Sequence, residues 1–206
     1  MTQTFSPALT VPKTLLAMVG VTGPAPRLGE ATVVVIDAQR EYVDGALPLP
    51  GVAPALEEIG RLLERARAMQ TPIIHIVHHG KGLFVPGSPG AEIAADAAPA
   101  PDEAVVAKSL PNAFASTDLT DRLHALKRPA IVLVGFMTHM CVEATARASI
   151  DLGLRAAVVA SATATRDLPD PLTGAVIAAA EVQRNALAAM ADRFAAVVPN
   201  VAALVD

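Results

Sequence analysis

One cysteine stands in the whole chain, Cys141, and its surroundings suit a nucleophile. It follows the apolar run Ala130-Ile131-Val132-Leu133-Val134 by a short turn, Gly135-Phe136-Met137-Thr138. It lies where the helical pattern His139–Leu152 begins, with Thr138 placed as an N-cap. At a helix start the dipole and the unpaired N–H groups favour a thiolate. The same N–H groups can hold an oxyanion. Such a thiol attacks a carbonyl carbon once a proton acceptor stands beside it. A small buried hydrophobe is the competing reading of a lone cysteine.

The acceptor is not an obvious histidine. His139 is two residues from Cys141 and points elsewhere on a helix. Asp37 is better placed, because it ends the run Thr32-Val33-Val34-Val35-Ile36. A carboxylate at the end of a buried strand is costly unless paired. Lys108, ending Ala104-Val105-Val106-Ala107, is the natural partner. A turn cap for Asp37 and a solvated loop position for Lys108 are the competing readings.

These residues sit at the ends of apolar runs, and the runs define the architecture. Thr32–Ile36 shows no alternation, which marks a strand covered on both faces. Further strands are expected at Pro72–Val77, Ala104–Ala107, Ala130–Val134, Arg155–Ala160 and Ala195–Val198. Helices are expected at Val52–Gln70, Thr117–Leu126, His139–Leu152 and Leu172–Phe194, the third stopped by Gly153. The stretch Gly80–Pro101 reads as loop, with a short helix near Ala91–Ala95. Strands alternating with helices predict one parallel α/β domain over residues 31–206, with helices on both sheet faces. Residues 1–30, with Pro7, Pro12, Pro24 and Pro26, read as an arm with a helical turn near Thr14–Val19. Ligands of such sheets bind at the carboxyl ends of the strands, where Asp37, His78, His79, Lys108, Cys141 and Arg166 fall.

Several functions are excluded. The first strand–helix turn, Asp37-Ala38-Gln39-Arg40-Glu41-Tyr42, has no glycine, which removes a dinucleotide fold. No P-loop and no G-x-S-x-G elbow occurs. A net charge of −4 without a basic run gives nucleic acid no electrostatic support. No apolar stretch reaches the ~18 residues of a spanning helix, so no membrane role is expected. The best leader candidate, Leu15–Val21 behind Lys13, is short and approached through Pro7 and Pro12, so a cytoplasmic location is expected. At 52% hydrophobic and 17% charged residues, the chain has more apolar surface than one small domain readily hides. Association into a homodimer or homotetramer is therefore expected, with the apolar arm Leu9–Val21 and the alanine-rich final helix as contact candidates.

Three blocks occur in order: Asp37-x-Gln39-x-x-Tyr42, Lys108-Ser109-x-x-Asn112-Ala113-Phe114, and Gly135-x-x-Thr138-x-x-Cys141-Val142-x-x-Thr145-Ala146. Together they resemble the isochorismatase-like cysteine hydrolases, a superfamily that includes nicotinamidases, N-carbamoylsarcosine amidases and isochorismatases. The resemblance runs from about Ala31 to Val198. It implies a three-layer α/β/α fold whose six-stranded parallel sheet has the order 3-2-1-4-5-6. It implies an Asp37–Lys108–Cys141 triad, a cis peptide at Phe136–Met137, and an oxyanion hole from the backbone N–H groups of Met137 and Cys141. The implied activity is hydrolysis of a small amide, ureide or carbamoyl C–N bond, with no cofactor and a small-molecule substrate. Isochorismatase-type ether hydrolysis with Asp37 as acid, and a catalytically silent binding module, are the alternatives.

Gln39, Tyr42, Phe84, Phe114, Phe136 and His139 are candidate substrate contacts, each equally able to be core. Arg166 could meet a substrate carboxylate or form a surface ion pair. The chain departs from nicotinamidases after strand 2, where His78-His79-Gly80-Lys81 replaces their Asp-x-His metal pair. Adjacent strand residues point to opposite faces, so His78 and His79 are not expected to share a metal.

Overall fold

The computed structural model describes residues 11–20 and 24–206. Pro7, Leu9, Val21 and the rest of residues 1–10 and 21–23 of the expected arm lie outside them. Strands β1 (Ala31–Ile36), β2 (Ile73–His78), β3 (Ala104–Lys108), β4 (Ala130–Phe136), β5 (Arg155–Ala164) and β8 (Ala196–Val198) form one sheet in the order β3-β2-β1-β4-β5-β8. Every pairing in it is parallel. β6 (Leu168–Pro169) and β7 (Val176–Ile177) make a separate antiparallel hairpin, so the sixth expected strand is eighth in chain order.

The two-residue side-chain period of a strand divides the core. Val33 and Val35 of β1 face α2 (Val52–Ala68) and pack with Leu56, Ile59, Leu62 and Leu63. Val34 and Ile36 face the other layer. There α3 (Leu119–Leu126), α4 (Glu143–Asp151) and α5 (Ala179–Arg193) supply Leu119, Leu123, Ala146 and Met190. All six β1 residues are buried, as the unbroken apolar run requires. In the arm, α1 (Leu15–Met18) is capped by Thr14. It lies on α5 of its own chain, where the Leu15 N–H donates to Asp192. Leu28 is fully buried in the main core.

Three expectations need correction. The final helix begins at Ala179, not Leu172. Asp170 accepts hydrogen bonds from the N–H of Leu172 and the hydroxyl of Thr173, closing the β6–β7 turn before any helix can start. The helix is started instead by Asp167, whose Oδ1 accepts from the Ala179 N–H at 2.7 Å. Second, Cys141 lies not in the first turn of an α-helix but in a π-helical turn, Thr138–Val142, that leads into α4. Third, Thr138 is no N-cap: its hydroxyl turns away and donates to the Ala164 carbonyl of β5.

Candidate active site

Three strand ends deliver three side chains to one point. Asp37 follows β1, Lys108 is the last residue of β3, and Cys141 lies in the turn after β4. β1 and β4 are neighbours, with Ile36 in register with Gly135. Gly135 has φ +108°, and a Cβ there would lie 1.9 Å from the Ile36 carbonyl oxygen. Only glycine lets the Cys141 turn come this close to Asp37. Asp37 itself has φ +48°, a left-handed conformation that short polar side chains tolerate. The Phe136–Met137 peptide is cis.

Lys108 sits on β3, two strands from β1, and its side chain reaches past the end of β2. The Lys108 Nζ lies 2.6 Å from Asp37 Oδ2, 3.3 Å from Cys141 Sγ and 3.3 Å from His78 Nδ1. The Asp37 and Lys108 side chains are fully buried, and Cys141 is 5% exposed. Asp37 Oδ1 is buried with no hydrogen-bond partner. Burial lifts the Asp37 carboxyl above the ordinary carboxylate range, against the pull of Lys108. Burial and the neighbouring Asp37 push the Cys141 thiol up to about 12, again against Lys108. A helix-start argument from sequence expects a lowered thiol; the depth of the site reverses it. The Cys141 thiol thus rests neutral, and Asp37 meets Lys108 on Oδ2 while its Oδ1 has no partner. A base held high is matched to a thiol held high, which suits proton transfer during attack.

The surrounding residues divide by what their polar atoms do. Gln39 is fully buried and its carboxamide is engaged by backbone. It accepts from the His78 N–H at 2.7 Å and donates to the carbonyls of His78 and Ala91. It thereby ties the end of β2 to the Asp37 turn. Tyr42 packs on Phe84 (centroids 4.9 Å apart) and Phe136 (5.8 Å), all three buried. Phe84 also packs edge-on against His78. Phe114 is half-buried against the opposite core layer.

His139 is half-buried and its Nδ1 contacts the Thr165 hydroxyl. Burial and then Arg166 hold its imidazole below the ordinary histidine range. Arg166 donates to the Asp167 carbonyl, while its Nε is buried without a partner. The Met137 carbonyl accepts from the N–H groups of Met140 and Val142. Thr145, quoted above only as part of a motif, has a role the spacing does not reveal. Its hydroxyl donates to the Cys141 carbonyl and accepts from the Ala113 N–H, joining the Lys108 loop to the Cys141 turn.

A surface cavity of about 850 Å³ opens at the other end of the sheet, lined by Arg67, Pro72, Glu103 and Arg122. Cys141 does not line it, so the chemistry is read from the carboxyl ends of the strands. Among the described residues, no three His, Cys, Asp or Glu side chains come together as a metal ion would require.

This fold and this cluster of Asp, Lys and Cys at the carboxyl ends of a parallel sheet define a class of α/β hydrolase. The isochorismatase domain model matches residues 31–200, and the chain belongs to the isochorismatase family of hydrolases. It is 37% identical over 187 residues to the secreted isochorismatase effector Isc1 of Verticillium dahliae, covering 89% of this chain and 95% of that protein. It is 31% identical over 146 residues to maleamate amidohydrolase of Pseudomonas putida, covering 62% of this chain and 68% of that one. An isochorismatase crystal structure from Pseudomonas putida KT2440 superposes with a TM-score of 0.88 at 39% identity, covering 92% of this chain and 97% of the other. No helix among the described residues is long and apolar enough to cross a membrane.

Proposed function

We propose that the protein hydrolyses a small amide, ureide or carbamoyl C–N bond through an acyl-Cys141 intermediate. One observation carries this reading: Lys108 bonds both Asp37 and Cys141 inside a buried site, leaving Asp37 Oδ1 free. Asp37 takes the thiol proton as Sγ attacks the carbonyl carbon. The N–H groups of Met137 and Cys141 hold the resulting oxyanion. On collapse the C–N bond breaks and Asp37 returns the proton to the leaving nitrogen. Asp37 then takes a proton from water, whose oxygen attacks the thioester, and Cys141 leaves and is reprotonated. Lys108 stays charged and offsets the negative charge that moves between carboxylate, sulfur and oxyanion.

Arg166 supports a substrate that carries an anion, since its buried Nε lacks a partner and it follows Thr165, whose hydroxyl contacts His139. The amide relative supports the C–N reading. The Verticillium relative, named an isochorismatase, supports a second one in which Asp37 protonates a vinyl ether and sulfur takes no part. A panel of amides, ureides and carbamoyl amino acids, scored for released ammonia beside isochorismate, separates them. The C–N reading requires ammonia from the wild type and none from Cys141→Ala. Ether cleavage that survives Cys141→Ala would replace it.

A further inference from the structure

The Lys108 ammonium has three protons and no acceptor capacity. Two of its hydrogen bonds go to Asp37 Oδ2 and Cys141 Sγ, and the third neighbour is His78 Nδ1 at 3.3 Å. His78 is the register partner of Lys108 across β2 and β3, so both side chains rise from the same sheet face. It is also the β2 residue that Lys108 must pass to reach Asp37 on β1. The backbone of His78 is gripped on both sides by Gln39, and its ring rests edge-on against Phe84 at 5.4 Å.

Resting on the triad reading above, we infer that His78 is a positioning residue for the reaction: its neutral imidazole, protonated on Nε2, accepts the third Lys108 proton and aims the ammonium at Asp37 and Cys141. Without that acceptor, a buried ammonium keeps one unsatisfied donor and rotates away from the weak sulfur acceptor first. Burial, then Lys108 and His79, hold the His78 imidazole below the ordinary histidine range, so it is neutral and its Nδ1 lone pair available at pH 7. The polar side-chain contact of His78 in the site is with Lys108, and it acts through that ammonium.

Two measurements test this. Cys141 is the only cysteine, so the rate of iodoacetamide incorporation at pH 8 reports its reactivity directly. His78→Leu should slow alkylation about tenfold, the loss of one charge-assisted hydrogen bond. His78→Asn, whose Oδ1 can stand where Nδ1 stood, should return the rate to within about threefold of wild type. Equal rates in wild type and His78→Leu, or a His78→Asn protein as slow as His78→Leu, would overturn the inference. Lys108→Met is the control. If it alkylates like wild type, the triad reading fails; if it is slow while His78→Leu is not, only the role of His78 fails. Nitrogen-15 NMR of histidine-labelled wild type needs no altered fold, with the His78 signals identified by their absence in His78→Asn. A pyridine-type Nδ1 and a protonated Nε2 at His78 are expected, and a protonated Nδ1 would overturn the inference.

Discussion

Two carboxylates sit at opposite ends of the parallel sheet and differ in one respect that separates structure from chemistry. At the amino end, Glu103 precedes β3 and meets a cation and a histidine, Arg67 and His75. At the carboxyl end, Asp37 also meets a cation and lies near a histidine, Lys108 and His78. Glu103 accepts four hydrogen bonds: two from Arg67, one from the Ala100 N–H and one from His75 Nε2. Burial pushes its carboxyl up, but those donors outweigh burial and hold it at about 2. Asp37 has a single cation on Oδ2 and nothing on Oδ1, and burial wins. A saturated carboxylate is a permanent anion that fastens α2 to the start of β3. An unsaturated one has a lone pair left for a proton in flight.

The largest expected contrast follows from that difference. Asp37→Asn combined with Lys108→Met should lower turnover on the order of 10³-fold or more. The same double variant should unfold in urea at an unchanged or higher concentration, because a buried ion pair is often no more stable than an isosteric neutral one. Glu103→Gln should do the reverse. It should keep wild-type turnover and cost about 1–3 kcal/mol in urea, near the lower end because Arg67 is partly exposed. A Glu103→Gln protein that is stable and inactive would dissolve the distinction.

Acid should expose the same asymmetry more gently. The Glu103 carboxyl lies below its unfolded value of 4.5, so its contribution is present above that pH and lost as the pH falls toward about 2. The stability gap between wild type and Glu103→Gln should be full at pH 6 and narrow between pH 4 and pH 2.5. A gap that stays constant over that range would show that the hydrogen bonds to Glu103 are not charge-assisted. The smallest expected effect is that of chelation. Exhaustive EDTA treatment should leave turnover unchanged, because His78 Nδ1 is assigned to Lys108; activity lost to EDTA and restored by one divalent ion would contradict that assignment.

The central strands were legible because fully buried parallel strands must be continuous apolar runs, as Thr32–Ile36 and Ala130–Val134 are, whereas their order in the sheet came only with the family resemblance. Asp37 and Lys108 were legible as polar residues ending such runs and Cys141 as the thiol in the turn after one, and the family resemblance joined the three. Other features depend on contacts that local spacing does not carry. Leu172–Ala178 has helix-like composition, yet Asp170 folds it into a turn. The Cys141 thiol is governed by how deep the turn lies, not by the helix that follows. Gln39 reads as a pocket residue until the backbone groups it clamps, 39 and 52 residues away, are seen. The need for glycine at 135 comes from the Ile36 carbonyl of another strand.

The central claim is that Cys141 forms a covalent bond to the acyl group during turnover. Intact-protein mass spectrometry on enzyme acid-quenched during hydrolysis of an amide from the panel tests it most directly. The account predicts an added mass equal to the acyl fragment, located on the peptide bearing Cys141 and absent from Cys141→Ala. Steady turnover with unmodified Cys141, at a rate that Cys141→Ala retains, would contradict it.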